Sequence, residues 1–239
     1  MSSRIYFNGP EGRIEGMYVK AAAQDAPIAL ILHPHPQHGG DMHNTVVYNA
    51  YKVLADNGYT VLRINFRGVG NSDGNFNNGV GEVIDAGTAL DWLCQNNPHA
   101  QSTLILGFSF GAWIAMQLVM RRPEINYFIA ISPPVNKYDF TFLSPCPIPG
   151  FILQGDNDSI VTADSVKDLA SKLSKQQSHI KVECKVISGA DHFFRYKMEE
   201  FAAAISKYLK TLDNNNYHVN ISNNKDEEVN NSSKKLFLY

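Results

Sequence analysis

The part of this sequence richest in chemistry is a serine with glycine two positions away on either side, Gly107-Phe108-Ser109-Phe110-Gly111. It follows the strand-like run Thr103 to Leu106 and precedes a helical stretch beginning near Ala112. A serine at such a strand-to-helix elbow is held in a strained backbone conformation. The glycines lack the Cβ atoms that would strike the adjoining strand and helix. A hydroxyl attacks poorly unless a base takes its proton and a third group holds the base. Asp158 follows the run Gly150 to Leu153 and His192 follows the run Lys181 to Ile187, so an acid and a base come in the order Ser, Asp, His. Asp158 is preferred to Asp156 because the turn after the strand must be completed before a side chain can reach across. Asp191 is a rival acid, yet adjacent side chains point in different directions. Acyl transfer also needs backbone N–H donors for a developing oxyanion. The Phe110 N–H is one. The other is expected from His33-Pro34-His35-Pro36-Gln37-His38, where proline offers no N–H and only His35 and Gln37 can donate; His35 is chosen.

Two other clusters compete for attention. His33, His35 and His38 nearly match a His-x-His-x-Asp-His zinc signature, but Gln37 stands where the carboxylate ligand belongs, and a metal reading leaves Ser109, Asp158 and His192 as coincidences. Arg67-Gly68-Val69-Gly70-Asn71-Ser72-Asp73-Gly74 looks like a dinucleotide loop, yet its third glycine is displaced by one and an Asn-rich segment follows instead of a helix. It is expected to be a tight turn shaping one side of the pocket. Neither a metal nor a cofactor is expected.

These residues need a scaffold that brings distant loops to one edge. Ile28 to Leu32, Thr60 to Phe66, Thr103 to Phe108, Tyr127 to Ile131, Gly150 to Leu153 and Lys181 to Ile187 are short and apolar on both faces, as in a parallel sheet covered by helices on both sides. Helices are predicted at Thr45 to Asn57, Val83 to Asn96 with Ile84, Leu90 and Leu93 inward, Ala112 to Arg121, Ala163 to Lys175 and Lys197 to Leu212. The alternating start, around Asn8-Gly9-Pro10-Glu11-Gly12, reads as an antiparallel hairpin at the sheet edge. The fold class is therefore α/β, an open and mostly parallel sheet with helices on both faces, as one domain over residues 1–212. Residues 213–239 are rich in Asn, Ser and charge, and read as a disordered tail.

Composition narrows the function. The 239 residues carry 21 Lys and Arg against 23 Asp and Glu, a net charge of -2, which gives no field for nucleic acid. Three scattered cysteines give neither a disulfide scaffold nor a zinc ribbon. With no apolar leader or bilayer-length run, a soluble cytoplasmic protein is expected.

Taken together, the loop His33 to Gly40, the turn Arg67 to Ser72, the elbow at Ser109, the acid at Asp158 and the base at His192 resemble the α/β-hydrolase superfamily over residues 4–212. The His-Pro-His-Pro loop, Asn65-Phe66-Arg67-Gly68 and the Ser109 elbow are similar to a small bacterial group related to dienelactone hydrolases and serine-aminopeptidase-like enzymes. Dienelactone hydrolases carry Cys at the elbow, so that substrate is not implied. The superfamily often inserts a helical cap before the acid strand. Here Ser132 to Pro149 is too short and too rich in proline for one, which implies an open pocket. The resemblance implies a serine hydrolase of small, accessible carboxylic esters acting through an acyl-enzyme. A peptidase or thioesterase on the same triad and a non-catalytic binding scaffold are the alternatives.

Overall fold

A computed structural model of the protein describes residues 2–176 and 180–212, so the tail expected at 213–239 lies outside the described residues. The chain begins with a hairpin, β1 (Ser3–Gly9) and β2 (Gly12–Val19), closed by a turn in which Gly12 takes φ 114°. Thereafter strands and helices alternate: β3 (Ile28–Leu32), α1 (Thr45–Asp56), β4 (Thr60–Ile64), α2 (Val80–Asn96), β5 (Thr103–Phe108), α3 (Phe110–Val119), β6 (Tyr127–Ile131), β7 (Gly150–Gly155), α4 (Ala163–Gln176) and β8 (Val182–Ile187). A fifth helix, α5, covers residues 198–212. The eight strands form one sheet in the order β1-β2-β4-β3-β5-β6-β7-β8, with β2 antiparallel to β4 and every pair from β3 and β4 onward parallel. Among the described residues no helix is long and apolar enough to cross a membrane.

The unbroken apolar strands follow from successive side chains entering different layers. On β3, Ile28, Leu30 and Leu32 join Ala86, Leu90, Ile114 and Leu173 under α2, α3 and α4. Ala29 and Ile31 instead join Val46, Ala50, Phe201 and Leu209 under α1 and α5.

Helix α2 departs from the sequence expectation in two ways. It begins at Val80, because the Glu82 carboxylate reaches back to accept the Asn77 and Gly79 N–H at 2.8 and 2.7 Å. Gly79 at the cap carries no side-chain signal, so that start could not be read from the sequence. Ile84 faces solvent, 51% exposed, while Asp85 is buried. The reason is Arg67, whose Nε and Nη2 grip the two Asp85 oxygens at 2.8 and 2.7 Å and occupy the face an apolar side chain would otherwise fill.

Parallel register then sets the working edge. Leu32 stands beside Gly107, Phe108 beside Ile131 and Gly155 beside Ile187, so the loops after β3, β5, β7 and β8 emerge together at the carboxyl ends of their strands. Between neighbouring β3 and β5 the chain departs to opposite faces, into α1 and α3. That divergence opens a crevice where ligands bind in folds of this kind.

Candidate active site

Ser109 connects β5 directly to α3 with φ 53° and ψ −119°, a conformation that costs a non-glycine residue of order 1–3 kcal/mol. It is pinned there by its N–H, which donates to Ile131 O at 2.8 Å. The flanking glycines are sterically required. A Cβ on Gly107 would lie 2.2 Å from Gly111 O, and one on Gly111 would lie 2.4 Å from Leu32 O. Helix α3 begins at Phe110, two residues before the expected start, because Ser109 itself forms the cap.

His192 Nε2 lies 3.1 Å from Ser109 Oγ, and His192 Nδ1 lies 2.7 Å from Asp158 Oδ2. An ionised carboxylate only accepts, so Nδ1 carries the proton and Nε2 faces the serine hydroxyl as an acceptor. Phe108 and Phe193 both pack on the imidazole with ring centroids 5.2 Å away. Burial acts to raise the Asp158 carboxyl, but the His192 contact and the Val161 and Ile160 N–H hold it below its ordinary value.

Three supporting roles, those of Gln154, Asp191 and His33, were not read from the sequence. Gln154, fully buried at the end of β7, donates from Nε2 to Asp158 Oδ2 at 2.9 Å. Asp191 accepts the Phe193 and Arg195 N–H on Oδ1 at 3.1 and 2.9 Å and so shapes the turn that presents His192. His33 is also fully buried; it donates from Nδ1 to Pro34 O at 2.7 Å and accepts the Phe66 N–H on Nε2 at 3.0 Å, joining the loop after β3 to the end of β4. Burial pushes the His33 imidazole down to about 4. Only the Asp191 turn carried a local signal, a short carboxylate before two N–H groups.

The residues weighed against the triad also find their places. Asp156 bridges loops, its Oδ1 accepting the Gly189 N–H at 2.6 Å. His35 and Phe110 line one cavity of about 190 Å³ together with Ser109 and His192. Their backbone N–H groups have no hydrogen-bond acceptor among the described residues, whereas the Gln37 N–H is taken by His35 Nδ1 at 3.2 Å. The zinc alternative at His33, His35 and His38 does not assemble: both His33 nitrogens are engaged, and His35 and His38 stack face to face at 4.4 Å. The turn Arg67 to Gly74 does not line the cavity. Its Ser72 Oγ donates to Asn65 O and accepts the Glu15 N–H, and Asn71 binds both Glu15 oxygens, so it bolts the hairpin to β4 behind the site.

Between β6 and β7, among the described residues, the chain forms a single short 3-10 turn (Thr141–Leu143) and no cap helix.

Comparison with known proteins agrees with this architecture. A family model described as X-Pro dipeptidyl-peptidase (S15 family) matches residues 19–229. An uncharacterised protein of Rickettsia prowazekii is 72% identical over 239 residues, 99% of each chain. A solved protein of unknown function from Agrobacterium tumefaciens is 46% identical with a TM-score of 0.85, covering 89% of this chain and 97% of that one. A serine hydrolase without lid from Xanthomonas campestris is 29% identical with a TM-score of 0.79, covering 88% and 94%. With the family model spanning most of the chain and the lidless serine hydrolase sharing its fold, the chain belongs to the X-Pro dipeptidyl-peptidase (S15) family, in the lidless group of the α/β-hydrolase superfamily.

Proposed function

We propose that the protein hydrolyses carboxylic esters through an acyl-enzyme, with Ser109 as nucleophile, His192 as base and acid, and Asp158 orienting the imidazole. The observation that carries this reading is the continuous contact chain from Ser109 Oγ through His192 to Asp158, at 3.1 and 2.7 Å. As Ser109 Oγ bonds to the ester carbon, its proton passes to His192 Nε2, and the carbonyl electrons move onto oxygen. The His35 and Phe110 N–H groups receive that oxyanion, each such donor being worth roughly 3 kcal/mol. Collapse expels the alcohol, which takes the proton from His192. Water then repeats the sequence and frees the acid and Ser109.

The family description raises peptide hydrolysis as a second reading. A dipeptidyl-peptidase has to accommodate the cationic amino terminus of its substrate, and no Asp or Glu lines the Ser109 cavity. This favours esters over X-Pro peptides. The test is labelling by a fluorophosphonate, followed by turnover of p-nitrophenyl butyrate, an acyl-CoA and an X-Pro p-nitroanilide. Labelling and ester turnover that vanish in Ser109→Ala and His192→Ala are expected. Undiminished labelling of Ser109→Ala, or anilide turnover exceeding ester turnover, would overturn the proposal.

A further inference from the structure

Lys137 lines the Ser109 cavity beside His35, His38 and His192, and no Asp or Glu stands in the cavity wall. The Asp158 side chain, the nearest acid to the reaction, is fully covered. Asp139, two residues from Lys137, is already engaged, its oxygens accepting the Thr141 N–H and Oγ–H at 2.8 and 2.9 Å. Among the described residues no acid pairs with the exposed Lys137 ammonium.

Lys137 is nonetheless on a fixed support. Its N–H donates to Pro134 O at 3.0 Å, and the next residue, Tyr138, stacks on Trp113 with centroids 4.3 Å apart. The His35 imidazole accepts the Gln37 N–H on Nδ1, so its proton sits on Nε2 as a neutral donor. Burial first, then the nearby His38 and Lys137, lower the His35 imidazole below its ordinary value, and Lys137 and His35 line the same cavity.

We infer that Lys137 is a specificity residue, drawing into the Ser109 cavity esters whose acyl or alcohol part carries a carboxylate or phosphate. This rests on the ester-hydrolase reading above and names its substrate class. The cation is at the rim and exposed, so its contribution is made in substrate capture: it lowers KM, more so at low salt, and leaves bond breaking to the triad. A hydrophobic stem alone would give no such dependence on salt.

The experiment compares matched ester pairs. Mono-p-nitrophenyl glutarate against p-nitrophenyl butyrate places a carboxylate on the acyl side; a monoacylglycerol phosphate against its monoacylglycerol places a phosphate on the alcohol side. In each pair the ratio of kcat/KM, anionic over neutral, is measured for the wild type, Lys137→Met and Lys137→Arg at low and high salt. The ratio is expected to fall about tenfold in Lys137→Met, through KM, to be retained in Lys137→Arg, and to shrink with salt in the wild type. A response in one pair alone identifies which side carries the anion. Equal ratios in wild type and Lys137→Met in both pairs would overturn the inference. As a readout independent of turnover, Ser109 is labelled with neutral and carboxyl-terminated fluorophosphonates of equal length. Labelling with no preference lost in Lys137→Met overturns the role of Lys137 alone, whereas absence of labelling overturns the ester-hydrolase reading and this inference with it.

Discussion

Gln154 donates from Nε2 to Asp158 Oδ2 at 2.9 Å, sharing that oxygen with His192 Nδ1 at 2.7 Å. The other oxygen, Oδ1, takes the Ile160 and Val161 N–H at 2.8 and 2.9 Å, so the carboxylate is fixed on both sides. An amide in its place would present a donor to the imidazole and reverse the tautomer. Asp158→Asn is therefore expected to lower kcat by roughly 10³ to 10⁴ with folding intact. Gln154→Met removes one support and leaves the triad; kcat is expected to fall about tenfold with KM little changed. Steady-state kinetics beside thermal melts separate these outcomes, and full activity in Asp158→Asn would reassign the acid.

Asp156 and Asp191 hold loops rather than the reacting atoms. Asp156→Asn loosens the bond to Gly189 and is expected to cost about 1 kcal/mol of stability with kcat within a few fold of wild type. Sequence alone gives Asp191 little to do, but its three contacts, to the Phe193 and Arg195 N–H and to Arg195 Nε, define the His192 turn. Asp191→Ala is expected to reduce both melting temperature and kcat. A variant with normal kcat would show that Phe108 and Phe193 hold the imidazole unaided.

His33 makes stability depend on pH. Its imidazole is neutral in the fold down to about 4, while in the unfolded chain it takes up a proton near 6.5. Between those values the unfolded state binds more protons, so stability falls on acidification, by up to about 3 kcal/mol. Denaturant unfolding from pH 7 to 4 is expected to show a steeper loss for the wild type than for His33→Gln. Parallel curves would exclude this source of acid sensitivity.

The elbow glycines leave no room for a methyl group. Gly107→Ala brings a Cβ to 2.2 Å from the Gly111 carbonyl oxygen, where only backbone could move. Expected is a loss of about 3 kcal/mol or more, read as a fall in soluble yield and melting temperature. Gly39→Ala, where a Cβ would meet nothing within 4 Å, serves as a control for the φ of 76° alone.

The strands were legible because each feeds two apolar layers, so β3, β5 and β6 read as unbroken runs with the bounds observed. The order of Ser109, Asp158 and His192 was legible because parallel strands place their following loops on one edge. What escaped was polar and buried. The Arg67–Asp85 pair turned Ile84 outward, and the Glu15 network moved the Arg67 to Gly74 turn away from the cavity. Gln154 and His33 find their partners only through sheet register or loop folding, which no local pattern encodes.

The absence of a helix between β6 and β7 among the described residues has a kinetic consequence. Nothing there has to swing aside before a substrate enters the Ser109 cavity, so in the proposed ester hydrolysis no step of turnover is expected to wait on such a hinge. Activity on a sparingly soluble ester is therefore expected to rise smoothly through the concentration at which droplets form, without the jump that a surface-opened lipase gives.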